Sequence, residues 1–220
     1  MIIYFDIETI PLPPGEREFT KPKFENMEFG STKDEGKKRI KFEEEVSKWE
    51  EGSKAALSSL ENQIVLAGSA IGDGDYSFII GDDGNEQNLI KSCLDLLGNQ
   101  RGITQIVGHN IGFDLRNIIR KGWKYQINVP GWLIDELNRY KSNVIFDTMK
   151  QWQLNDRSDY VTLEYLAAFF GAPQNKIKDS SGDIVTGAKF YKSWAIDREA
   201  CIQYNREDIV SLRHVHKFLR

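Results

Sequence analysis

Cysteine and histidine are scarce in this chain of 220 residues, which contains two Cys and three His. Cys93 and Cys201 lie far apart and lack the spacing of a metal-binding motif, so we expect two reduced, partly buried thiols. His109, His214 and His216 are too few and too scattered to form a zinc cluster. Neither residue type therefore predicts a structural metal or a disulfide framework.

Long hydrophobic runs are also absent, because no apolar stretch approaches the roughly 18 residues that a membrane span requires. The apolar N-terminal run is interrupted by Asp6 and Glu8 and has no basic leader, so we expect no signal peptide. A formal net charge of −4 argues against a protein that coats nucleic acid nonspecifically, although it permits local basic patches. These features predict a cytoplasmic protein with no membrane partner.

The composition that remains is that of a globular protein, with 40% hydrophobic and 28% charged residues. A chain of this length is sufficient for one domain with a substantial core, so we expect a single domain over residues 1–220. From about residue 30 to 60 the sequence is charged and favours helix, which predicts a helical insertion between the first two strands. This insertion could cover a site or mediate oligomerisation.

Short runs rich in β-branched and aromatic residues predict five strands. The first three, near residues 2–9, 64–71 and 76–80, form a meander that a helix follows. The fourth covers residues 103–108 and the fifth begins near residue 143 and ends on Asp147, an acid that we interpret as structural or as a support for the metal ligands. A last helix leads to the C-terminus, with Asp197 as its expected N-cap.

The first strand ends on two acids, Asp6 and Glu8, which alternation along a strand places on the same side. Two adjacent carboxylates at the end of a buried strand repel each other and are costly to desolvate. A hard divalent cation such as Mg²⁺ or Mn²⁺ would relieve both costs. Taken alone the pair is weak evidence, because two solvated acids at a strand end would have the same pattern.

Two further acids occur where an open α/β sheet would bring them to the same crevice. Asp114 follows the fourth strand at the start of a helix, and Asp208 lies on the last helix, one turn after Tyr204. Four carboxylates there would suit two divalent cations about 3.5–4 Å apart, the arrangement that nucleases use on a phosphodiester. Helix capping by Asp114 and a core-edge position for Tyr204 are the simpler alternatives.

These residues carry a resemblance to the DEDD (DnaQ-like) 3′→5′ exonuclease superfamily. Phe5–Thr9 resembles its first motif, and the stretch from His109 to Asp114 resembles its second. Tyr204 and Asp208 match the Tyr-x-x-x-Asp third motif of the tyrosine subclass, whereas the histidine subclass would need His in place of Gln203. The motifs span nearly the whole chain, and the pattern is similar to the exonuclease domains of family B DNA polymerases. The long connection over residues 11–62 departs from that pattern.

The resemblance implies a role for each matched residue. Asp6, Glu8 and Asp208 would bind the tighter metal ion, Asp6 would bridge to a second ion, and Asp114 would hold that second ion largely through water. Tyr204 would hydrogen-bond the attacking water. Substrate contacts would come from one polar residue near the scissile phosphate and from three that line the seat of the terminal nucleotide: Asn110, and Ile7, Thr9 and Phe113.

The resemblance also implies a ribonuclease H-like α/β fold, with a five-stranded mixed sheet and helices on both faces. The first three strands should be antiparallel, and the fourth and fifth should run parallel to the first. The expected function is a metal-dependent 3′→5′ exonuclease that releases 5′-mononucleotides, with single-stranded DNA preferred and RNA possible. An exoribonuclease or oligonucleotide trimmer, and a non-catalytic nucleic-acid-binding module, are the alternatives.

Positive charge on the helix after the fourth strand has two interpretations. Arg116, Arg120, Lys121 and Lys124 occur in a stretch that contains no acid between residues 115 and 134. Such a face could bind phosphate, and it could equally be an ordinary solvated helix surface.

Overall fold

A computed structural model describes residues 1–81, 84–98, 102–139, 142–156 and 158–220. The chain divides into two compact units. The first combines residues 1–8 with residues 64–220, and the second comprises residues 9–63. Among the described residues, no helix combines the length and the apolar character that crossing a bilayer requires.

Five strands form one sheet in the order β3-β2-β1-β4-β5. β4 is parallel to β1, β5 is parallel to β4, and β2 and β3 are antiparallel. The Gly72 N–H donates to the Ile2 carbonyl at 2.9 Å, so the end of β2 lies beside the start of β1 and these two strands are also antiparallel. The predicted mixed sheet is confirmed. The strands are β1 Ile2–Pro11, β2 Asn62–Ile71, β3 Ser77–Ile80, β4 Gln105–Gly108 and β5 Ile145–Asp147.

Eight α-helices occur in the described part of the chain. The predicted insertion corresponds to the first of them, and the predicted C-terminal helix is the last and the longest. The N-cap expected for that helix is present, since the Asp197 side chain accepts from the Ala200 N–H at 3.0 Å. The helices are α1 Glu35–Glu51, α2 Glu86–Gly98, α3 Ile111–Lys124, α4 Gly131–Asn138, α5 Thr148–Gln153, α6 Leu163–Phe169, α7 Phe190–Ile196 and α8 Arg198–Leu219.

Alternation along β1 divides the core of the first unit between the two faces of the sheet. Ile3, Phe5 and Ile7 pack in one buried cluster with apolar side chains of α2 and α3. Tyr4 points to the other face, where it packs with Ile209 of α8. Helices therefore cover both faces, as the sequence predicts. The same alternation places Asp6 and Glu8 on the α8 face.

The unit of residues 9–63 is organised around the ends of α1. Asp34 caps the N-terminus, and Gly52 ends the helix with a φ of 79°, a left-handed conformation that glycine adopts without strain. The buried Arg17 guanidinium donates to the carbonyl oxygens of Trp49 and Glu50 in the last turn. It also lies 4.4 Å from the centroid of the Trp49 ring. Arg17 thus satisfies carbonyl groups that a helix end leaves free.

A buried ion pair joins α2 to α3 in the first unit. Lys121 Nζ lies 3.3 Å from Glu86 Oε1, and that oxygen also accepts the Ile64 N–H at 2.8 Å. Both side chains are almost inaccessible to water. Lys121 is therefore not part of a solvated basic face, whereas Arg116, Arg120 and Lys124 are exposed.

Glu86→Ala should lower the free energy of unfolding by about 3 kcal/mol, because it leaves the Lys121 ammonium buried without this carboxylate and the Ile64 amide without its acceptor. Urea denaturation at neutral pH measures this change. The matched control is Glu45→Ala, which removes an exposed pair with Lys48 and should have a much smaller effect. Equal effects of the two substitutions would show that the buried pair does not contribute as described.

Candidate metal centre

Three carboxylates meet where β1 faces α8. Asp6, Glu8 and Asp208 each offer an oxygen atom, and these three atoms all lie within 4.8 Å of one another. Strand alternation turns the first two toward α8, and the helix supplies the third from the opposite side. Glu8 is buried, and Asp6 and Asp208 are half-buried. The structure thus gathers three of the four acids that the sequence predicts at the site.

The fourth acid, Asp114, has its own partner. Its Oδ1 accepts the Ile7 backbone N–H at 3.0 Å, and the side chain is buried in the first turn of α3. The register of β1 with β4 runs from Ile2 to Tyr4, so the Ile7 amide lies beyond that paired stretch and Asp114 accepts from it instead. Asp114 is not one of the three clustered carboxylates, but its charge still acts on Asp6 and Glu8.

Tyr204 lies one helical turn before Asp208, and its hydroxyl donates to the Asp208 carboxylate. Phe190 of α7 supports the ring, with centroids 6.3 Å apart. Burial, followed by the negative charges of Asp208, Glu8 and Asp6, raises the pKa of Tyr204 well above its usual value. The phenol is therefore protonated at neutral pH, and it acts as a hydrogen-bond donor rather than as a base.

The expected substrate contacts lie in different environments. Asn110 is exposed and has a φ of 56°, a left-handed conformation that Asn tolerates better than most residues. Its backbone N–H donates to Asp147 Oδ1 at 2.9 Å, so Asp147 fixes the turn that leads into α3. Phe113 is partly buried against the core that contains Ile7. In the second unit, the Thr9 hydroxyl donates to the Ala56 carbonyl at 2.6 Å.

Sequence reasoning missed two polar residues, one that contacts this cluster and one that contacts the first. Asn205 has no exposed surface, and its Nδ2 donates to Asp6 Oδ2 at 2.7 Å. The Tyr76 hydroxyl donates in turn to Asn205 Oδ1 at 2.9 Å. The sequence contained one sign that Asn205 is buried. It lies four residues after Cys201 and four before Ile209, on the apolar stripe of α8. The long-range contact of Tyr76 had no comparable signal.

Burial and mutual repulsion make the ionised state of these acids costly. Burial is the largest cause in every case, and it raises the pKa of Asp208 to about 7 and that of Asp114 to about 8. Burial and neighbouring carboxylates raise the pKa of Asp6 and Glu8 well above their usual values. Within the described ranges, no salt bridge from Lys or Arg reaches the three clustered acids. These acids are close together, offer only oxygen atoms as ligands, and have no salt bridge to balance their charge within the described residues. Such a set of ligands fits a hard divalent cation.

The stability of the metal-free protein should fall as the pH rises from 5 to 8. A raised folded-state pKa means that folding favours the protonated acid, so this contribution is complete below the ordinary value near 3.8 and is lost as the pH passes about 7 to 8. The fall in Tm should be smaller in Asp208→Asn, by on the order of 5 °C, because that variant has no charge to bury at position 208. Thermal melts in EDTA measure both effects.

Millimolar Mg²⁺ or Mn²⁺ should raise the Tm of the wild type at pH 8 and leave that of Asp208→Asn nearly unchanged. A wild-type Tm that rises with pH and does not respond to either cation would contradict this account of the carboxylates.

The comparisons with known proteins address the fold. No family model matches the chain, and no curated protein matches it either. Among solved structures, it is similar to a family B DNA polymerase from the hyperthermophilic archaeon Pyrobaculum calidifontis, with a TM-score of 0.59 and 16% sequence identity. The match covers 99% of this chain and 24% of the polymerase chain. At that identity the similarity shows the shared fold, which is the ribonuclease H-like α/β fold predicted from the sequence.

Proposed function

We propose that the chain is a metal-dependent 3′→5′ exonuclease that removes 5′-mononucleotides from single-stranded DNA. The observation that carries the proposal is the meeting of Asp6, Glu8 and Asp208 within 4.8 Å of one another, with Tyr204 hydrogen-bonded to the last of them. These residues come from motifs at opposite ends of the chain. Each motif alone is weak evidence, whereas their convergence on one site is not expected of unrelated motifs.

Asp6, Glu8 and Asp208 would hold one Mg²⁺ or Mn²⁺ ion, and Asp114 would hold a second through water. Bound there, such cations supply charge stabilisation at the phosphate and lower the pKa of a water molecule. Tyr204, protonated at neutral pH, would orient that water through its hydroxyl and would not remove its proton. Glu8 can contact the same water because it lies in the same cluster.

Asn110 would bind the substrate near the scissile phosphate. Its side chain is available for this role because Asp147 holds its backbone N–H and the residue is exposed. Ile7, Thr9 and Phe113 would line the seat of the terminal nucleotide. The exposed part of Phe113 offers an aromatic surface on which a base can stack.

The choice of nucleic acid as substrate is supported by two observations. The motifs resemble those of the DEDD exonucleases, and the fold is similar to part of a DNA polymerase. The preference for single-stranded DNA over RNA comes from the resemblance. Residues 1–220 would act as one exonuclease domain, with a helical insertion over about residues 30–60.

The proposal is tested by a gel assay with 5′-labelled single-stranded DNA and RNA of the same sequence. In Mn²⁺ the wild type should shorten the DNA stepwise from its 3′ end, and EDTA should abolish the reaction. Asp208→Asn keeps the shape of the side chain and replaces a charged ligand with a neutral amide, so the rate should fall by more than about 100-fold. Asp95→Asn, an exposed change on α2, is the matched control and should retain full activity.

Each alternative gives a different result in this assay. Degradation of the RNA alone would indicate an exoribonuclease. Binding of either strand with no cleavage under any metal condition would indicate a non-catalytic module. A ladder that persists in Asp208→Asn would contradict the proposed site.

Tyr204→Phe should lower kcat by roughly 10²-fold or more with little change in KM, since it removes the hydroxyl that orients the water and keeps the ring. Single-turnover rates at saturating DNA and Mn²⁺ measure the chemical step. The matched control is Tyr165→Phe, because that tyrosine is 72% exposed on α6. A wild-type rate in Tyr204→Phe, combined with a lower Tm, would assign the residue to the core instead.

A further inference from the structure

A partly buried chain of polar contacts links Asn205 of α8, beside Gly68 of β2, to Tyr76, the residue before β3. It consists of Asn205, which contacts Asp6, and Tyr76, which contacts Asn205 next to Gly68. We propose that Asn205 is a positioning residue that fixes the carboxylates of Asp6 and Glu8 for cation binding, and that Gly68 and Tyr76 hold its amide in place. The inference rests on the proposed function for its cation.

The hydrogen bonds of the Asn205 amide define its orientation. A cation would bind Asp6 in its ionised form, and an ionised carboxylate can only accept, so the side of the amide that faces Asp6 is the donating nitrogen. The same side chain also hydrogen-bonds Glu8. The amide oxygen then faces away from the acids, and Tyr76 donates its hydroxyl proton to that oxygen at 2.9 Å. All three contacts agree on one orientation, and a flipped amide would oppose two of them.

Gly68 provides the space that the amide occupies. A Cβ at this position would overlap the Asn205 amide oxygen and would come 2.9 Å from the Tyr76 ring atom Cε2. The backbone of Gly68 has no positive φ that would itself require glycine. Glycine is therefore needed here for the close approach of α8, and alanine would displace either the amide or the tyrosine.

Tyr76 is itself held by its neighbours. Its ring stacks on Phe78 with centroids 5.8 Å apart, and the Arg206 guanidinium lies 5.3 Å from its centroid. Burial, followed by the negative charges of Asp6 and Glu8, raises the pKa of Tyr76 well above its ordinary value, so the hydroxyl keeps its proton and acts as the donor to Asn205. Phe78 and Arg206 thus hold the Tyr76 ring in place. The tyrosine hydroxyl orients the Asn205 amide, and the amide orients the carboxylate of Asp6.

A neutral donor suits this position better than a cation would. Asn205 satisfies carboxylate oxygens of Asp6 and Glu8 without adding positive charge, so the negative charge of the cluster remains for a divalent cation. A lysine there would neutralise part of that charge. The amide also contacts one particular oxygen of Asp6, since Oδ2 accepts the hydrogen bond.

The test is calorimetric titration of the EDTA-treated protein of residues 1–220 with Mn²⁺ alone. Asn205→Ala and Gly68→Ala should each weaken Mn²⁺ binding by about 10- to 100-fold, the usual effect of losing a partner of a metal ligand. Tyr76→Phe keeps the ring and removes one hydrogen bond, so it should weaken binding by roughly 3- to 10-fold. Gly131→Ala is the matched control, because a Cβ there meets no atom within 4 Å.

Activity supplies a second readout that a purely structural role would not change. If Asn205 acts through the cation, the nuclease rate of the variants should recover as the Mn²⁺ concentration is raised. Tyr76→Phe keeps the proposal testable if either of the other two variants does not fold.

The outcomes separate this inference from the proposed function. Wild-type Mn²⁺ affinity in folded Gly68→Ala and Tyr76→Phe would overturn the positioning role and leave the exonuclease proposal intact. A wild type that binds no Mn²⁺ would overturn both. Weaker binding in the variants, with normal binding in Gly131→Ala, is the result expected.

Discussion

Repulsion among buried carboxylates is the constraint on which the arrangement of this protein depends. Asp6, Glu8 and Asp208 lie together in a partly dehydrated site, where burial and neighbouring charge oppose ionisation. The chain supplies neutral donors to these acids, from Asn205 and Tyr204, and no salt bridge from Lys or Arg within the described residues. The negative charge is therefore retained, and a divalent cation is the partner that would balance it.

Two elements, β1 and α8, bring these groups together, because each places one side in the core and another side at the site. In β1, one side of the strand forms the core with α2 and α3, and the other side carries Tyr4 and then the two acids. In α8, Ile209 packs against the sheet while Asp208 and Tyr204 turn toward the site. The contacts that stabilise the helix on the sheet thus also set the distance between the motifs.

Local patterns in the sequence predicted the strands and identified the acids, whereas the family resemblance predicted the strand directions and the metal-binding roles. The β-branched run before Asp6 predicted β1, and the spacing of Tyr204 and Asp208 predicted a shared helix face. The bonds from Asp114 to Ile7 and from Tyr76 to Asn205 were not predictable, because they join residues more than 100 positions apart. The periodicity of a segment reports which face is buried, and it does not report which distant polar group that face meets.

The central claim is that Asp6, Glu8 and Asp208 form a divalent cation site. The most direct measurement is anomalous diffraction from crystals of residues 1–220 soaked in Mn²⁺. The account predicts a strong anomalous peak at coordinating distance from oxygens of all three residues, and its loss in crystals of Asp208→Asn. A saturating soak that leaves this position empty, or that places Mn²⁺ only on other residues, would contradict it.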